Sequence, residues 1–80
     1  MKLSIYSLKR TLYESQAKSI NCQTQAGEIT ILDYHQPLIS MLKEGVIKII
    51  DNNNKEQYVN AKSGFLEVKP DNEARFIVEE

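Results

Sequence analysis

The sequence predicts an all-β protein, a flattened antiparallel β-sandwich or barrel of about eight to ten short strands. Three observations support this prediction. Apolar and polar residues alternate in short runs, turn signals recur about every 8–12 residues, and no window forms a convincing amphipathic helix. With 80 residues, the chain is expected to form one small domain, residues 1–80, with a thin core.

Four strands are predicted in the first half of the chain. They are Leu3–Leu8, Thr11–Tyr13, Lys18–Thr24 and Glu28–Leu32. At the segment Lys9–Ala17, Leu8 and Leu12 also sit at helical spacing, but no capping residue precedes them, so we favour a turn and a short strand there. In the third strand, Ile20, Cys22 and Thr24 share one side and are expected to face the core.

Five further strands are predicted in the second half. They are Leu38–Leu42, Val46–Ile50, Glu56–Asn60, Phe65–Lys69 and Ala74–Val78. Pro37 has no N–H to donate, so it is placed just before the first of these strands. Asp51–Asn54 and Pro70–Asn72 are expected to form tight hairpin turns, because asparagine tolerates positive φ.

Composition excludes several classes of protein. The formal charge of −1 and the pI near 5.8 argue against a nucleic-acid-binding surface, which usually carries a basic excess. A single cysteine allows no internal disulfide and is typical of a reducing compartment. No run of about 18 apolar residues is present, and the first ten residues lack the apolar core of a signal peptide. The sequence therefore predicts a soluble cytosolic chain with no membrane insertion.

His35, the only histidine, is the residue most suggestive of catalysis. A catalytic histidine needs a nucleophile or a second acid or base within hydrogen-bonding reach. Cys22 is the only thiol, and its inward position predicts a core residue. One histidine and one cysteine are too few for a zinc site, and no glycine-rich phosphate loop is present. We predict no catalytic, metal or cofactor site; His35 either hydrogen-bonds its own turn or contacts another protein.

The segment Gly45–Ile50 is apolar on both faces, with Ile47 and Ile49 on one side and Val46 and Ile50 on the other. A strand in a two-layer sandwich needs only one apolar face. The excess predicts a docking surface for a partner. The alternative is a central strand that a neighbouring loop covers.

Three segments resemble the amino-terminal domain of the epsilon subunit of F-type ATP synthase. The first, Gly27–Ile39, holds a Gly-Glu-aliphatic strand and a His-x-Pro-Leu loop. The second, Lys43–Ile49, has Lys-x-Gly before an aliphatic strand. The third, Ser63–Pro70, contains Gly-x-Leu-Glu-Val-x-Pro. The segments keep the order and spacing of that family, and a looser similarity extends from Leu3 to Val78.

The resemblance implies a flattened β-sandwich of about eight to ten strands in the rotor of the synthase. The domain would bind the gamma subunit and the polar loops of the c-ring, and would have no catalytic activity of its own. By position in the family motifs, Glu28 corresponds to a c-ring contact, and Ser7, His35 and Ser40 correspond to gamma contacts. The complex would place the chain peripherally at the cytoplasmic face of the inner or plasma membrane, or at the matrix or stromal face in an organelle.

The chain also departs from the family pattern. Thr30 and Ser63 stand where glycines are usual, and Asp33-Tyr34 replaces a common Pro-Gly before the histidine. Most members continue into a helical hairpin that binds ATP and restrains the catalytic hexamer, and those roles cannot be assigned to these residues. Two other functions stay open: a free-standing β-domain that binds a protein or carbohydrate, and a small hydrolase that uses His35 and Cys22.

Overall fold

Nine β-strands make up most of the chain in the computed structural model, which describes residues 1–80. The strands are β1 (Lys2–Tyr6), β2 (Thr11–Gln16), β3 (Ser19–Thr24), β4 (Gly27–Leu32), β5 (Leu38–Leu42), β6 (Gly45–Ile50), β7 (Glu56–Ala61), β8 (Ser63–Lys69) and β9 (Glu73–Glu79). None of these elements is a helix, so no helix in the structure could cross a membrane. The predicted all-β class is confirmed.

All nine predicted strands are present; their limits shift by one to three residues except at β5, and the shifts at β1 and β2 have a structural cause. β1 ends at Tyr6, not at Leu8, because the chain turns where the Ser7 N–H donates to the Arg10 carbonyl at 2.9 Å. β2 continues to Gln16, well beyond the predicted end at Tyr13. Its last three residues are polar and exposed, and they are held in the strand by backbone pairing with β1. These three residues therefore belong to β2 because they pair with β1, and the alternation of side chains alone does not predict that pairing.

The strands form two layers that join at one corner. The order β2-β1-β9-β8-β5 forms the layer called here the first sheet, and β4-β3-β6-β7 forms the second sheet. The layers connect where Thr24 of β3 pairs with Leu42 of β5. Because β3 also pairs with β4 and β6, it continues the hydrogen-bonded ladder around the corner, and the sandwich is nearly closed.

One strand pair departs from the predicted antiparallel arrangement. β1 and β9 lie side by side in parallel, with partners running from Lys2 and Glu73 to Tyr6 and Ile77. A parallel pair needs a long crossover connection, and here the seven intervening strands supply it. The first and last strands of the chain therefore lie together in the middle of the first sheet.

The core lies between the two sheets. Seventeen buried apolar residues form one cluster. The first sheet contributes Leu3, Ile5, Leu66 and Phe76, and the second contributes Ile20, Cys22, Ile31, Ile47 and Ile49, all with 2% exposure or less. Burying an isoleucine or leucine side chain stabilises the fold by about 1.5–3 kcal/mol. The inward positions predicted for Ile20, Cys22 and Thr24 are confirmed.

Candidate interaction surfaces

The loop that carries His35 connects β4 to β5 and is fastened to two other parts of the chain. The backbone N–H of His35 donates to the Leu32 carbonyl at 3.1 Å and closes the turn. The backbone N–H of Tyr34 donates to the Asn72 side-chain oxygen at 2.7 Å. The Asp33 carboxylate pairs with the α-amino group of Met1 at 2.5 Å. Hydrogen bonds from that amino group and from the Asn72 side chain hold the pKa of Asp33 below its usual value.

The His35 ring makes a hydrogen bond within its own loop. Its Nδ1 lies 2.7 Å from the carbonyl oxygen of Gln36. A carbonyl only accepts, so Nδ1 donates this hydrogen bond, and Nε2 makes no hydrogen bond within the chain. Half-buried and fixed in this way, His35 can present Nε2 to a partner.

Cys22, the only thiol, is fully buried on β3, and burial raises its pKa to about 11. A thiol in that state remains protonated at neutral pH and is a poor nucleophile. The hydrolase suggested by the sequence therefore lacks an available nucleophile in Cys22.

Glu28 lies near the start of β4, at the other end of that strand from the His35 loop. Its Oε2 accepts a hydrogen bond from the Asn21 amide at 2.9 Å, and the same amide donates to the Thr30 hydroxyl at 3.0 Å. These side chains lie on the outer face of the second sheet, where they line a shallow polar groove of about 340 Å³ together with Lys48. Glu28 is thus an exposed acidic residue that is hydrogen-bonded to the neighbouring strand β3.

Ser7 organises the turn between β1 and β2. Its hydroxyl accepts from the backbone N–H groups of Lys9 and Arg10, each at 3.2 Å, and donates to Glu80 at 2.9 Å. Arg10 also pairs with Glu80 at 2.6 Å, which raises the pKa of the guanidinium. Hydrogen bonds lower the pKa of Glu80, and the bond from Arg10 has a larger effect than the bond from Ser7. The Ser7 hydroxyl therefore already has hydrogen-bond partners within the chain.

Ser40 lies in the middle of β5, opposite Leu66 of β8. Because Leu66 is fully buried and facing residues share a side of the sheet, the Ser40 side chain points inward. Its neighbours Ile39 and Met41 point outward and are exposed. Ser40 is half-buried at this position.

The structure does not gather these four predicted residues into one cluster. Ser7 contacts Glu80, just beyond the end of β9, whereas Asn72, which holds the His35 loop, lies just before its start. A seven-residue strand spans about 23 Å, so Ser7 and His35 lie at opposite ends of the first sheet. Glu28 and His35 likewise flank opposite ends of β4.

A row of apolar side chains crosses the outer face of the first sheet between these two ends. The row, called here the apolar row, consists of directly paired residues on β5, β8, β9 and β1: Met41, Phe65, Ile77 and Tyr6. Met41 and Phe65 are exposed, and Ile77 and Tyr6 are half-buried. At about 4.8 Å per strand, the row is about 14 Å long. Contiguous exposed apolar surface commonly marks a site of protein contact.

The apolar row could not be predicted from the sequence alone. Each member follows the alternation of its own strand, but the row exists only when four strands are aligned in register. A signal was present in Phe65 and Ile77, large apolar residues at positions whose neighbours face the core. Without the strand order, these residues could not be combined into one surface.

The outer face of β6, predicted as a docking surface, is mixed in character. Val46 is exposed and Ile50 half-buried, as expected for outward positions, while Ile47 and Ile49 are buried. Lys48 lies between the two outward residues and pairs with Glu56 at 2.8 Å; this pairing raises the pKa of Lys48. The residues paired with Lys48 on either side are Asn21 and Tyr58, whose side chains also carry polar groups.

A family profile described as "ATP synthase, Delta/Epsilon chain, beta-sandwich domain" matches residues 1–80. Among solved structures, a chain of the Euglena gracilis mitochondrial ATP synthase superposes with a TM-score of 0.91 at 18% sequence identity. A chain in the central stalk and c-ring structure of the Tetrahymena thermophila mitochondrial ATP synthase superposes with a TM-score of 0.86 at 17% identity. The match covers 98% and 100% of the present chain, but only 49% and 63% of the two longer chains.

Proposed function

Because the chain belongs to the ATP synthase delta/epsilon-chain family and matches the β-sandwich domain of that family, we propose that it is a non-catalytic component of the central stalk of an F-type ATP synthase. It docks on the gamma subunit and on the c-ring, so that ion-driven rotation of the ring is coupled to ATP synthesis. Catalysis belongs to the complex, and the chain contributes a rigid connection.

The apolar row is the observation that carries this proposal. Four side chains in register on a hydrogen-bonded sheet form a flat apolar surface, which suits a lasting contact with another folded subunit. In the proposed complex, gamma covers the outer face of the first sheet. Ser7 and His35 then lie at the two ends of the same contact, and Ser40 supports it from the inward side of β5.

Glu28 is proposed to contact the c-ring. It lies at the opposite end of β4 from the His35 loop, so a partner at Glu28 does not compete with a partner at His35. A charged carboxylate fixed by Asn21 suits a polar loop that offers N–H groups or a cation. In this arrangement the chain is held at the membrane surface by its partners, on the side that carries the catalytic subunits.

Gel filtration of the chain with the gamma subunit of the same synthase tests the proposal. We expect the wild-type chain to co-elute with gamma at micromolar concentrations. Met41→Lys puts a charge into the apolar row and should abolish co-elution, whereas Val46→Lys, which charges the outer face of the second sheet, should not. A folded wild-type chain that fails to co-elute, or equal loss from both variants, would contradict the proposal.

A further inference from the structure

Tyr34 combines an unfavourable backbone conformation with a highly exposed side chain. Its φ is 62° and its ring is 82% exposed at the tip of the loop between β4 and β5. The other two non-glycine residues with positive φ are Asn54 and Asn72. Asparagine adopts this conformation comparatively easily, but a bulky residue such as tyrosine rarely does.

The Tyr34 side chain does little to offset this unfavourable backbone conformation. The closing hydrogen bond from His35 to Leu32 makes Tyr34 the third residue of a four-residue turn, where glycine or asparagine is the favoured choice at positive φ. The phenol oxygen makes no hydrogen bond, and the exposed ring contributes little to the core. A residue that is unfavourable for folding and makes few contacts is typical of a surface selected for binding.

The loop presents the ring on a rigid support. The Tyr34 N–H is bound to the Asn72 side chain at 2.7 Å, and Asn72 belongs to the turn between β8 and β9. Asp33 is tied to Met1, and the His35 N–H closes the turn. A contact residue held in place before binding loses little conformational entropy when the complex forms.

We propose that Tyr34 is the anchor of this end of the domain, and that its ring inserts into an apolar pocket of the gamma subunit. The pocket should have a hydrogen-bond acceptor at its base for the phenol. Tyrosine is enriched among the residues that dominate interface energetics. This inference rests on the proposed function, since gamma is the partner assigned to the His35 loop.

The test measures the affinity and the stability of the same variants. Titration calorimetry of the full chain with gamma should give a dissociation constant about tenfold or more weaker for Tyr34→Gly. The same variant should unfold at a higher temperature than wild type, because glycine relieves the backbone strain. Tyr34→Phe should lose about threefold in affinity, through the phenol hydrogen bond alone. Tyr58→Ala, which removes a tyrosine 60% exposed on the second sheet, should change affinity by less than about twofold.

A purely structural role cannot produce weaker binding together with higher stability. If Tyr34→Gly binds gamma as tightly as wild type, the anchor assignment is wrong while the proposed function stands. If Tyr34→Gly unfolds at a lower temperature, the ring is needed for folding and the assignment is equally wrong. If wild type itself does not bind gamma, the proposed function fails, and the anchor assignment fails with it.

Discussion

Gly64 of β8 packs directly against the backbone of Ile77 on β9. A side-chain carbon built on Gly64 would collide with the Ile77 carbonyl oxygen and would lie 2.9 Å from the Val78 α-carbon. The φ of Gly64 is 143°, which an L-residue rarely adopts. The absence of a side chain at residue 64 therefore lets two central strands of the first sheet approach each other beside the apolar row.

Replacing Gly64 with alanine should strongly destabilise the fold. The clash is with backbone atoms, which cannot move aside, and the φ penalty is added to it, so we expect a loss of about 3–5 kcal/mol in the free energy of unfolding. Urea denaturation followed by circular dichroism measures the change. Gly27→Ala is the matched control, since its φ is 119° but no atom lies within 4 Å of the added carbon. That variant should lose only about 1–2 kcal/mol, and a similar loss from both would show that the clash is unimportant.

Asp51 should make the stability of the fold depend on pH. Its carboxylate accepts hydrogen bonds from the backbone N–H groups of Lys55 and Asn53, and these bonds lower its pKa below the usual value of an aspartate. A carboxylate whose pKa is lower in the folded state than in the unfolded state stabilises the fold. This stabilisation is complete at pH values above the unfolded-state pKa and is lost as the pH falls through the folded-state pKa. Asp51→Asn should therefore lower the urea midpoint at about pH 6 but make little difference at about pH 2.

Asp71→Asn, in the turn between β8 and β9, is the control for Asp51 because no hydrogen bond reaches the Asp71 side chain. Its urea midpoint should follow that of wild type over the same range of pH. If the Asp51 variant follows wild type as well, the hairpin carboxylate is not responsible for acid sensitivity.

Cys22 should react with thiol reagents only when the chain unfolds. Its side chain is fully buried and its pKa is raised to about 11, so both access and thiolate content are low. At about pH 8, labelling should be at least about 100-fold slower in the native chain than in urea. Rapid labelling of the folded chain would contradict the burial of Cys22 and would restore the hydrolase hypothesis.

Removing both proposed polar contacts should impair coupling in the assembled enzyme. A synthase with Glu28→Gln and His35→Ala should make less ATP at a given ion gradient, while hydrolysis by the detached catalytic head remains unchanged. Lys55→Ala, in the turn between β6 and β7, is the control and should leave synthesis at the wild-type rate. Full synthesis by the double variant would show that these two contacts are incidental.

Much of the fold could be predicted from the sequence, because two-residue alternation indicates which side chains face the core. Ile20 and Cys22 are buried as the pattern indicates, and the Asp51–Asn54 segment forms the expected hairpin. The parallel pairing of β1 with β9 could not be predicted this way, since alternation identifies the buried face of a strand and not its neighbour. The end of β2 was missed for the same reason.

The candidate surfaces were less accessible to sequence reasoning. His35 could be predicted as a possible contact residue, but the distance between Ser7 and His35 depends on strand order and direction. The backbone strain at Tyr34 could not be predicted either. The sequence indicates a turn at Asp33-Tyr34 but does not indicate which of the two residues adopts positive φ.

The parallel pairing of β1 and β9 has a mechanical consequence for the connecting role proposed above. If Lys2 and Glu79 are pulled apart along the strands, the paired residues of β1 and β9 slide past each other and all their hydrogen bonds are loaded together. A hairpin pulled at its open end separates one bond at a time. The domain should therefore resist tension along this axis far better than its equilibrium stability alone would suggest.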